Sequence, residues 1–540
     1  MGCVILKVMK KFFEKLQQSK VFWVALIIVI QTIVYVAAGI GKNYFHMDEM
    51  YSYGLANFDQ VQIYEKDDFY NKWHNAAYYK DYIVVNEDEK GDFSAVYNNQ
   101  RDDVHPPLYY LLLRIGMELT PGEFSKWTGI VINIVAFAVN TIFLFLVVDK
   151  LLGKEKSRLT KSFVLTLAVS LTVAAISTVM YIRMYAMLTM WVTITMYLHM
   201  RLWESKKTSP GLLVALGLTA LMGVLTQYYY LFFSAPLFVV LAVKYWKAKR
   251  WAELRAYVGT LVGAAVVSLI IWPYSIQHLF FGYRGQGAMG NLLNFANLGA
   301  QVGIFAGILV LYDFHYMLPF LLIAMFVLAI VGLKRRKALT NDKEQDDYYG
   351  MMLWPSLFFF VVVSIASPFT DLRYLEAICG LMFVVVIYGL YKLVGMFAQE
   401  KTRSIIMAVI LVVMALLPIP LKIEPDVEYS RFAVLNEFVE EHKELPLLYM
   451  YNPGNERFLD DLPVFAEVDE SYVMHHQDYT PANFRKVLAG KDLGGGLMVF
   501  ANYGNENEHY LKVLRETMGL EQQQHIFHTN SADLYLLTKK

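Results

Sequence analysis

Long hydrophobic blocks, separated by shorter polar stretches, recur over the first four-fifths of this 540-residue chain. A helix that crosses a bilayer needs about 20 predominantly apolar residues, and eleven blocks have roughly that length. The pattern predicts an all-α polytopic membrane protein. The predicted spans cover residues 21–41, 123–148, 162–180, 184–203, 211–227, 229–247, 256–273, 316–334, 351–367, 374–393 and 404–421.

Two further apolar stretches are too short to cross easily. Leu108–Leu119 follows two prolines, which a first helical turn tolerates, and we expect it to form an interfacial helix. Leu298–Leu311 breaks at Asp313. Counting the charged loops on either side favours an interfacial or re-entrant segment at about residues 290–312 over a full crossing.

Lysine and arginine cluster in every second loop. Under the positive-inside rule this predicts a cytoplasmic N-terminus, and eleven spans then place the C-terminal region outside the cytoplasm of a plasma-membrane protein. Because the clusters flank the spans, they indicate orientation rather than nucleic-acid binding. The clusters are Lys7, Lys10, Lys11, Lys15 and Lys20; Lys150 to Lys161; Arg201 to Lys207; Lys244 to Arg250; Lys334 to Lys337; and Lys392 to Arg403.

Two large polar regions are expected on the outer face. One is the first outer loop, residues 42–122, and the other is a tail with 20 acidic and 10 basic residues after Ile423. We predict a membrane domain at 1–423 and a small extracytoplasmic α/β domain at 424–540. The tail pattern predicts helices at 432–442 and 508–518, strands at 446–450, 497–500 and 532–537, and a turn at Gly494-Gly495-Gly496.

Composition agrees with this division. Hydrophobic residues make up 56% of the chain and charged residues 18%, below the quarter or so that is usual in soluble domains. The two cysteines, Cys3 and Cys379, supply neither a disulfide framework nor a zinc-ligand spacing. A soluble, disulfide-rich or zinc-finger protein is therefore excluded.

Candidate chemistry lies at the outer ends of the spans. The first outer loop begins with Asp48-Glu49, and carboxylates at a membrane surface indicate a functional site. A carboxylate can act as a general base, whereas guanidinium groups bind phosphate with fork geometry. The other candidates are His105 before Pro106-Pro107, Tyr181-Ile182-Arg183-Met184-Tyr185, and Asp371-Leu372-Arg373-Tyr374.

One base and a phosphate clamp fit the displacement of a lipid phosphate from a sugar carbon. The chain has no D-x-D triplet and no dinucleotide-binding motif, and nucleotide sugars are expected only in the cytoplasm. A donor used on the outer face is therefore expected on a polyprenyl lipid. This mechanism requires no cofactor, although Asp48, Glu49 and His105 have the donor atoms that suit Mg²⁺ or Mn²⁺.

The order of these motifs resembles the GT-C superfamily of polyprenyl-phosphate-sugar glycosyltransferases. It is most similar to family 39, the group of protein O-mannosyltransferases and lipid A aminoarabinose transferases. The shared features are Asp48-Glu49, His105-Pro106-Pro107-Leu108, Arg183-Met184-Tyr185 and Arg373-Tyr374, over about residues 20–395. The tail lies outside the part that relatives share.

The resemblance implies an inverting transferase that moves a sugar to a hydroxyl of an extracytoplasmic protein, lipid or cell-envelope glycan. It implies that Asp48 is the catalytic base and that Glu49 assists or orients it. Arg183 and Arg373, with His105, would hold the lipid phosphate, and Tyr185 and Tyr374 would lie beside it.

Other interpretations remain open at this point. Asp48-Glu49 is also compatible with a solvated helix end, Arg183 and Arg373 with headgroup anchors, and His105 with a helix cap. Among functions, a flippase or exporter of lipid-linked sugars is the main non-enzymatic alternative. An O-antigen ligase or polymerase is the third, with a diphosphate carrier in place of the monophosphate.

Overall fold

The computed structural model describes residues 18–59, 62–294, 298–335, 342–425, 432–452, 457–502 and 507–539. Contacts divide the chain into two compact units. The first comprises Met1–Ile40, Val104–Tyr109 and Ile130–Asp426, and the second Gly41–Asp103, Tyr110–Gly129 and Val427–Lys540. The basic residues at 7–15 and 336–337 and Cys3 lie outside the described residues.

The N-terminal quarter of the chain supplies helices to both units. The helix predicted after the two prolines is present and begins at Leu108. The helices are α1 (Lys20–Gly41), α2 (Met47–Asn57), α3 (Ala76–Ile83), α4 (Ser94–Asp102), α5 (Leu108–Met117) and α6 (Lys126–Leu152).

The rest of the first unit is helical up to Leu421. Its helices are α7 (Arg158–Ser170), α8 (Val173–Met180), α9 (Tyr185–Glu204), α10 (Pro210–Thr226), α11 (Tyr230–Lys247), α12 (Trp251–Ile271), α13 (Tyr283–Leu293), α14 (Leu298–Ile308), α15 (Leu318–Lys334), α16 (Lys343–Ala366), α17 (Glu376–Val394), α18 (Glu400–Leu416) and α19 (Pro418–Leu421).

The chain is a multi-pass membrane protein by the length and composition of these helices. Among the described residues, seven helices are long and apolar enough to cross, and two bent pairs bring the number to nine at most. Each of the eleven predicted spans coincides with a helix or a helix pair. The span predicted at 162–180 is formed by two helices, α7 and α8, which meet at 58°.

The break between α7 and α8 has a local cause. Thr172 leaves the helical conformation, with ψ at 154°, and its hydroxyl accepts a hydrogen bond from the backbone N–H of Ala175. A threonine in this position caps a new helix instead of continuing the old one. The hydropathy pattern does not predict this bend, because the residues that follow Thr172 continue the apolar run.

The second unit contains a six-stranded sheet with the order β1-β3-β2-β4-β6-β5. Strands β2, β3 and β4 are parallel, and the two edges pair antiparallel. The strands are β1 (Trp73–His74), β2 (Leu447–Tyr451), β3 (Ser471–His475), β4 (Leu497–Asn502), β5 (Gln522–His528) and β6 (Ala532–Thr538). β1 comes from the first outer loop, so the loop and the tail share one sheet.

Helices of the tail flank the sheet. They are α20 (Ala433–His442), α21 (Phe458–Phe465), α22 (Pro481–Val487) and α23 (Asn507–Met518). The α/β character predicted for the tail is confirmed. The glycine run lies just before β4, where Gly496 has φ at +120°, a conformation that favours glycine and explains the turn.

Candidate active-site residues in the two units

Asp48 lies in the first turn of α2, where the partial positive charge of a helix N-terminus favours an anion. Its backbone N–H donates to Nδ1 of His46 over 3.1 Å, and its carboxylate lies 3.9 Å from the same nitrogen. The Asp48 side chain is 22% exposed. It is therefore a carboxylate that remains accessible at the end of a helix.

Glu49 has a different environment from its neighbour. Its side chain is 0% exposed, and each carboxylate oxygen lies 3.0 Å from Nζ of Lys42. One oxygen also accepts the backbone N–H of His46, which completes a capping box for α2. Burial lowers the pKa of Lys42, and the charge of Glu49 opposes that effect. Glu49 thus fixes the helix end that presents Asp48.

The tail contributes two carboxylates to the same part of the second unit. Asp460, in α21, accepts a hydrogen bond from the backbone N–H of Met47, and its other oxygen lies 3.1 Å from Nε of Arg457. Asp461 accepts a hydrogen bond from the hydroxyl of Ser531. Both aspartates are buried.

Burial dominates the titration of this pair. The pKa of Asp460 is raised to about 7, mainly by burial. The charge of Arg457 lowers this pKa and the charge of Asp48 raises it, and both effects are included in that value. Burial also raises the pKa of Asp461 to about 8. Sequence reasoning missed both residues, which lie more than 400 positions from Asp48. The only signal was two adjacent carboxylates in an otherwise apolar helix, Phe458-Leu459-Asp460-Asp461-Leu462.

In the first unit, Arg183 lies in the short connection between α8 and α9. Its guanidinium is buried, with the residue 5% exposed. The amide of Asn133 donates to the carbonyls of Val179 and Tyr181 over 3.1 and 2.7 Å, and so holds this connection in place. A buried arginine does not anchor to headgroups in the way that an exposed one does.

Arg373 lies in a single 3₁₀ turn, Leu372–Tyr374, directly before α17. Asp371 caps that turn, and its carboxylate lies 3.3 Å from Nε of Arg373. Arg373 is 8% exposed, and its Nη1 donates to the hydroxyl of Tyr181. The cation therefore lies against the segment that contains Arg183.

Aromatic rings connect the two arginine motifs. The rings of Tyr185 and Tyr374 are 6.4 Å apart in a T-shaped arrangement, and Tyr229 lies 5.9 Å from Tyr374. The guanidinium of Arg373 lies 5.2 Å from the Tyr374 ring. The motifs Arg183-Met184-Tyr185 and Arg373-Tyr374, separated by almost 190 residues, thus meet in the first unit.

Arg284 adds a third guanidinium to this region. It lies 5.3 Å from the ring of Phe369, and it acts electrostatically on Tyr229 together with Arg373. In the sequence, Arg284 lies in the polar stretch that follows the predicted span 256–273. Only the structure shows that Arg284 lies close enough to Tyr229 to interact with it electrostatically.

His105 belongs to the first unit and is partly exposed. It precedes two buried prolines and α5, whose first residue, Leu108, packs against a cluster of Leu221, Leu225 and Trp272. The prolines and this packing fix the direction in which the chain enters α5. The structure does not test a contact of His105 with phosphate, and that role stays a prediction.

No group of three His, Cys, Asp or Glu side chains that could hold a metal ion occurs among the described residues. Of the three predicted ligands, Glu49 has both oxygens engaged with Lys42. The residues present therefore do not fit a chelate made by Asp48 and Glu49 together.

Residues 104–272 match the model of a family described as dolichyl-phosphate-mannose-protein mannosyltransferase. No curated protein matches the sequence significantly.

Among solved structures, ArnT from Cupriavidus metallidurans bound to undecaprenyl phosphate is similar, with a TM-score of 0.51, 11% identity, and coverage of 95% of this chain and 98% of that one. The apo form of the same protein gives a TM-score of 0.49, with 12% identity and coverage of 95% of this chain and 97% of that one. The oligosaccharyltransferase AglB from Archaeoglobus fulgidus, in complex with an inhibitory peptide and a dolichol-phosphate, gives 0.42, with 10% identity and coverage of 96% and 74%.

Proposed function

Given a chain that has the GT-C fold and a segment matching the mannosyltransferase family, we propose that it is an inverting glycosyltransferase. It would move a sugar from a polyprenyl-phosphate donor to a hydroxyl of an extracytoplasmic acceptor. The observation that supports this most is the meeting of the Arg183 and Arg373 motifs, which creates a buried cationic region flanked by tyrosines.

The proposed reaction is a single displacement. The acceptor oxygen forms a bond to the anomeric carbon, while the bond from that carbon to the phosphate oxygen breaks and its electron pair leaves with the polyprenyl phosphate. Asp48 takes the proton of the attacking hydroxyl, because it is the more accessible carboxylate of the pair. Attack from the face opposite to the leaving group inverts the anomeric centre.

Glu49 is assigned a positioning role. Its ion pair with Lys42 and its bond to the backbone of His46 fix the first turn of α2. A carboxylate that is engaged in this way is poorly placed to exchange protons with substrate. Asp48 and Glu49 thus act on the same step by different means.

Arg183 and Arg373 are assigned to the leaving phosphate. A guanidinium retains its charge when it is buried and matches phosphate oxygens with two parallel N–H groups. Stabilisation of developing charge by one well-placed donor is typically worth about 3 kcal/mol. Because the phosphate leaves as an anion, it is stabilised by the positive charges of the two arginines and does not need a general acid to protonate it.

The matching family and the similar ArnT structure support the class of donor. The family is described by a dolichyl-phosphate sugar, that structure is bound to undecaprenyl phosphate, and both lipids are polyprenyl phosphates. We extend only this shared chemistry to the present chain.

The test is an assay of sugar transfer from a polyprenyl-phosphate-linked radiolabelled sugar by the full chain in membranes. Asp48→Asn is expected to abolish transfer, whereas Asp59→Asn, an exposed residue beyond α2, is the matched control. Membrane insertion and retention of the carrier lipid should be unchanged in both variants. Turnover at the wild-type rate in Asp48→Asn would eliminate this residue as the base.

A further inference from the structure

An open groove lies in the first unit between α7, α17 and α18, with a volume of about 800 Å³. Its inner part is apolar and is lined by Val164, Leu165, Ile387, Met407 and Leu411. Such a surface accepts a hydrocarbon chain without leaving any polar group unsatisfied.

One end of the groove is polar and basic. Lys156 and Lys401 line it, together with the hydroxyl-bearing residues Ser157, Thr160 and Ser404. Both lysines are exposed, and neither has an ion-pair partner among the residues that the structure describes. This end therefore has two available cations beside several hydrogen-bond donors.

The remaining charges at this end compensate one another. Lys161 lies 3.0 Å from Glu155 and 2.9 Å from Glu400, and Arg403 lies 3.0 Å from Glu155. The hydroxyl of Tyr391 donates to Glu155 over 2.8 Å. The two cations and two carboxylates of this network balance in charge, so the excess positive charge at this end of the groove belongs to Lys156 and Lys401.

The N-termini of two helices also favour an anion at this end of the groove. α7 and α18 both begin at this end, and neither has a side-chain hydrogen bond that caps its N-terminus. The N–H groups at a helix start favour an anion, here on the same side as the two lysines. An apolar channel with a cationic mouth is complementary to a lipid that has an anionic headgroup.

We propose that this groove is a binding site for an anionic glycerophospholipid, with an acyl chain along the apolar part and the headgroup phosphate at Lys156 and Lys401. Basic pockets between membrane helices are suited to such headgroups. The mouth lies among the lysine-rich loops, so the lipid comes from the leaflet on that side, which the charge pattern assigns to the cytoplasm.

The site is separate from the arginine region of the proposed reaction. Arg373 lies three residues before Glu376, the first residue of α17, whereas the groove mouth lies beyond the last residue of that helix. A helix of 19 residues is about 28 Å long. The lipid in this groove is therefore a different molecule from the one held by Arg183 and Arg373.

The experiment measures which lipids remain bound to the purified full chain in native mass spectrometry after exchange with equimolar phosphatidylglycerol and phosphatidylcholine. Preferential retention of phosphatidylglycerol is expected. Lys156→Ala/Lys401→Ala should lower that preference roughly tenfold or more, since each cation near an anionic headgroup is worth about 1 kcal/mol. Lys206→Ala/Lys207→Ala, an exposed pair after α9, is the control and should behave as wild type.

Two further arms identify the occupant. Ala408→Trp places a large side chain at an exposed position of the groove and should reduce retention without disturbing the buried core. Inorganic phosphate should not compete, because the site needs the acyl chain. Equal retention of both phospholipids by the wild type, full retention by the double lysine variant, displacement by phosphate alone, or preference for polyprenyl phosphate would each overturn the proposal.

Discussion

The Lys42–Glu49 ion pair shows how one buried contact determines the geometry of a partly exposed neighbour, Asp48. Both side chains are 0% exposed, so each charge depends on the other. Removing one partner leaves the other buried without compensation. Since Glu49 also caps α2, the effect extends to the turn that contains Asp48.

We expect Glu49→Gln to destabilise the second unit by about 3 kcal/mol and to lower transfer activity with little change in donor affinity. The double variant Lys42→Met/Glu49→Gln removes both charges and should recover much of the stability. Denaturant unfolding of the wild type, the two single variants Lys42→Met and Glu49→Gln, and the double variant gives the coupling energy between the two side chains. Additive losses in this cycle would mean that the pair contributes nothing as a pair.

Asp460 predicts a pH dependence of stability. Its folded-state pKa of about 7 exceeds the ordinary value near 4, so between these values the folded chain binds more protons than the unfolded one. Stability of the second unit therefore falls as pH rises through this window. Each unit of difference corresponds to about 1.4 kcal/mol. Asp461, whose pKa is also raised by burial, acts in the same direction.

Asp460→Asn keeps an oxygen that can accept the N–H of Met47 but loses the titration. The slope of unfolding free energy against pH between 4 and 8 should become shallower in this variant. An unchanged slope would show that Asp460 is ionised in the folded protein throughout this range.

At the scale of elements, the position of α2 depends on close packing against α3. A Cβ at Gly54 would lie 2.0 Å from Cζ of Tyr82, a fully buried side chain. Only glycine allows the two helices to approach this closely. Gly41, at the end of α1, has no atom within 4 Å of the corresponding position.

Gly54→Ala should therefore destabilise the second unit by about 1–3 kcal/mol, since the overpacked ring must move. Gly41→Ala is the matched control and should have little effect. Thermal unfolding monitored by tyrosine fluorescence distinguishes the two. If Gly54→Ala were as stable as the control, Tyr82 would have room that the structure does not show.

The long apolar helices of the first unit were predictable because hydropathy alone specifies them, whereas α13 begins at Tyr283 in a glycine-containing stretch without an apolar run. The central strands β2 and β4 were predictable too, since their apolar runs are buried on both faces. β5 was missed because it begins Gln522-Gln523-Gln524-His525 and is exposed at the sheet edge, so no apolar alternation marks it. β1 was missed because two residues in a polar loop pair with β3 almost 400 residues away.

The candidate site divides in the same way. Asp48, Arg183 and Arg373 became candidates because charged residues are rare at the ends of apolar spans. Asp460 could not be found, because its relevance comes from a single contact with the backbone of Met47. The unequal environments of Asp48 and Glu49 also depend on Lys42, whose ion pair no local pattern predicts.

At the scale of the whole molecule, the second unit depends on two distant parts of the chain. The first outer loop supplies α2, α3 and β1, and the tail supplies the rest of the sheet. Contacts between them include the backbone N–H of Asn71 with the carbonyl of Val473, and the stacked rings of Tyr44 and Phe432. The predicted domain boundary at 423–424 and the orientation of the termini stay predictions.

If the loop owes its fold to the tail, a chain that ends at Glu424 should lose order between residues 71 and 79. The Trp73 indole then loses the carbonyl of Val487, and Tyr79 loses the hydroxyl of Ser471. Hydrogen–deuterium exchange of this peptide should become at least about tenfold faster, since an isolated two-residue strand has no stability of its own. Exchange in α17, which belongs to the first unit, serves as the internal control and should not change. Equal protection of residues 71–79 in both chains would show that the loop folds without the tail.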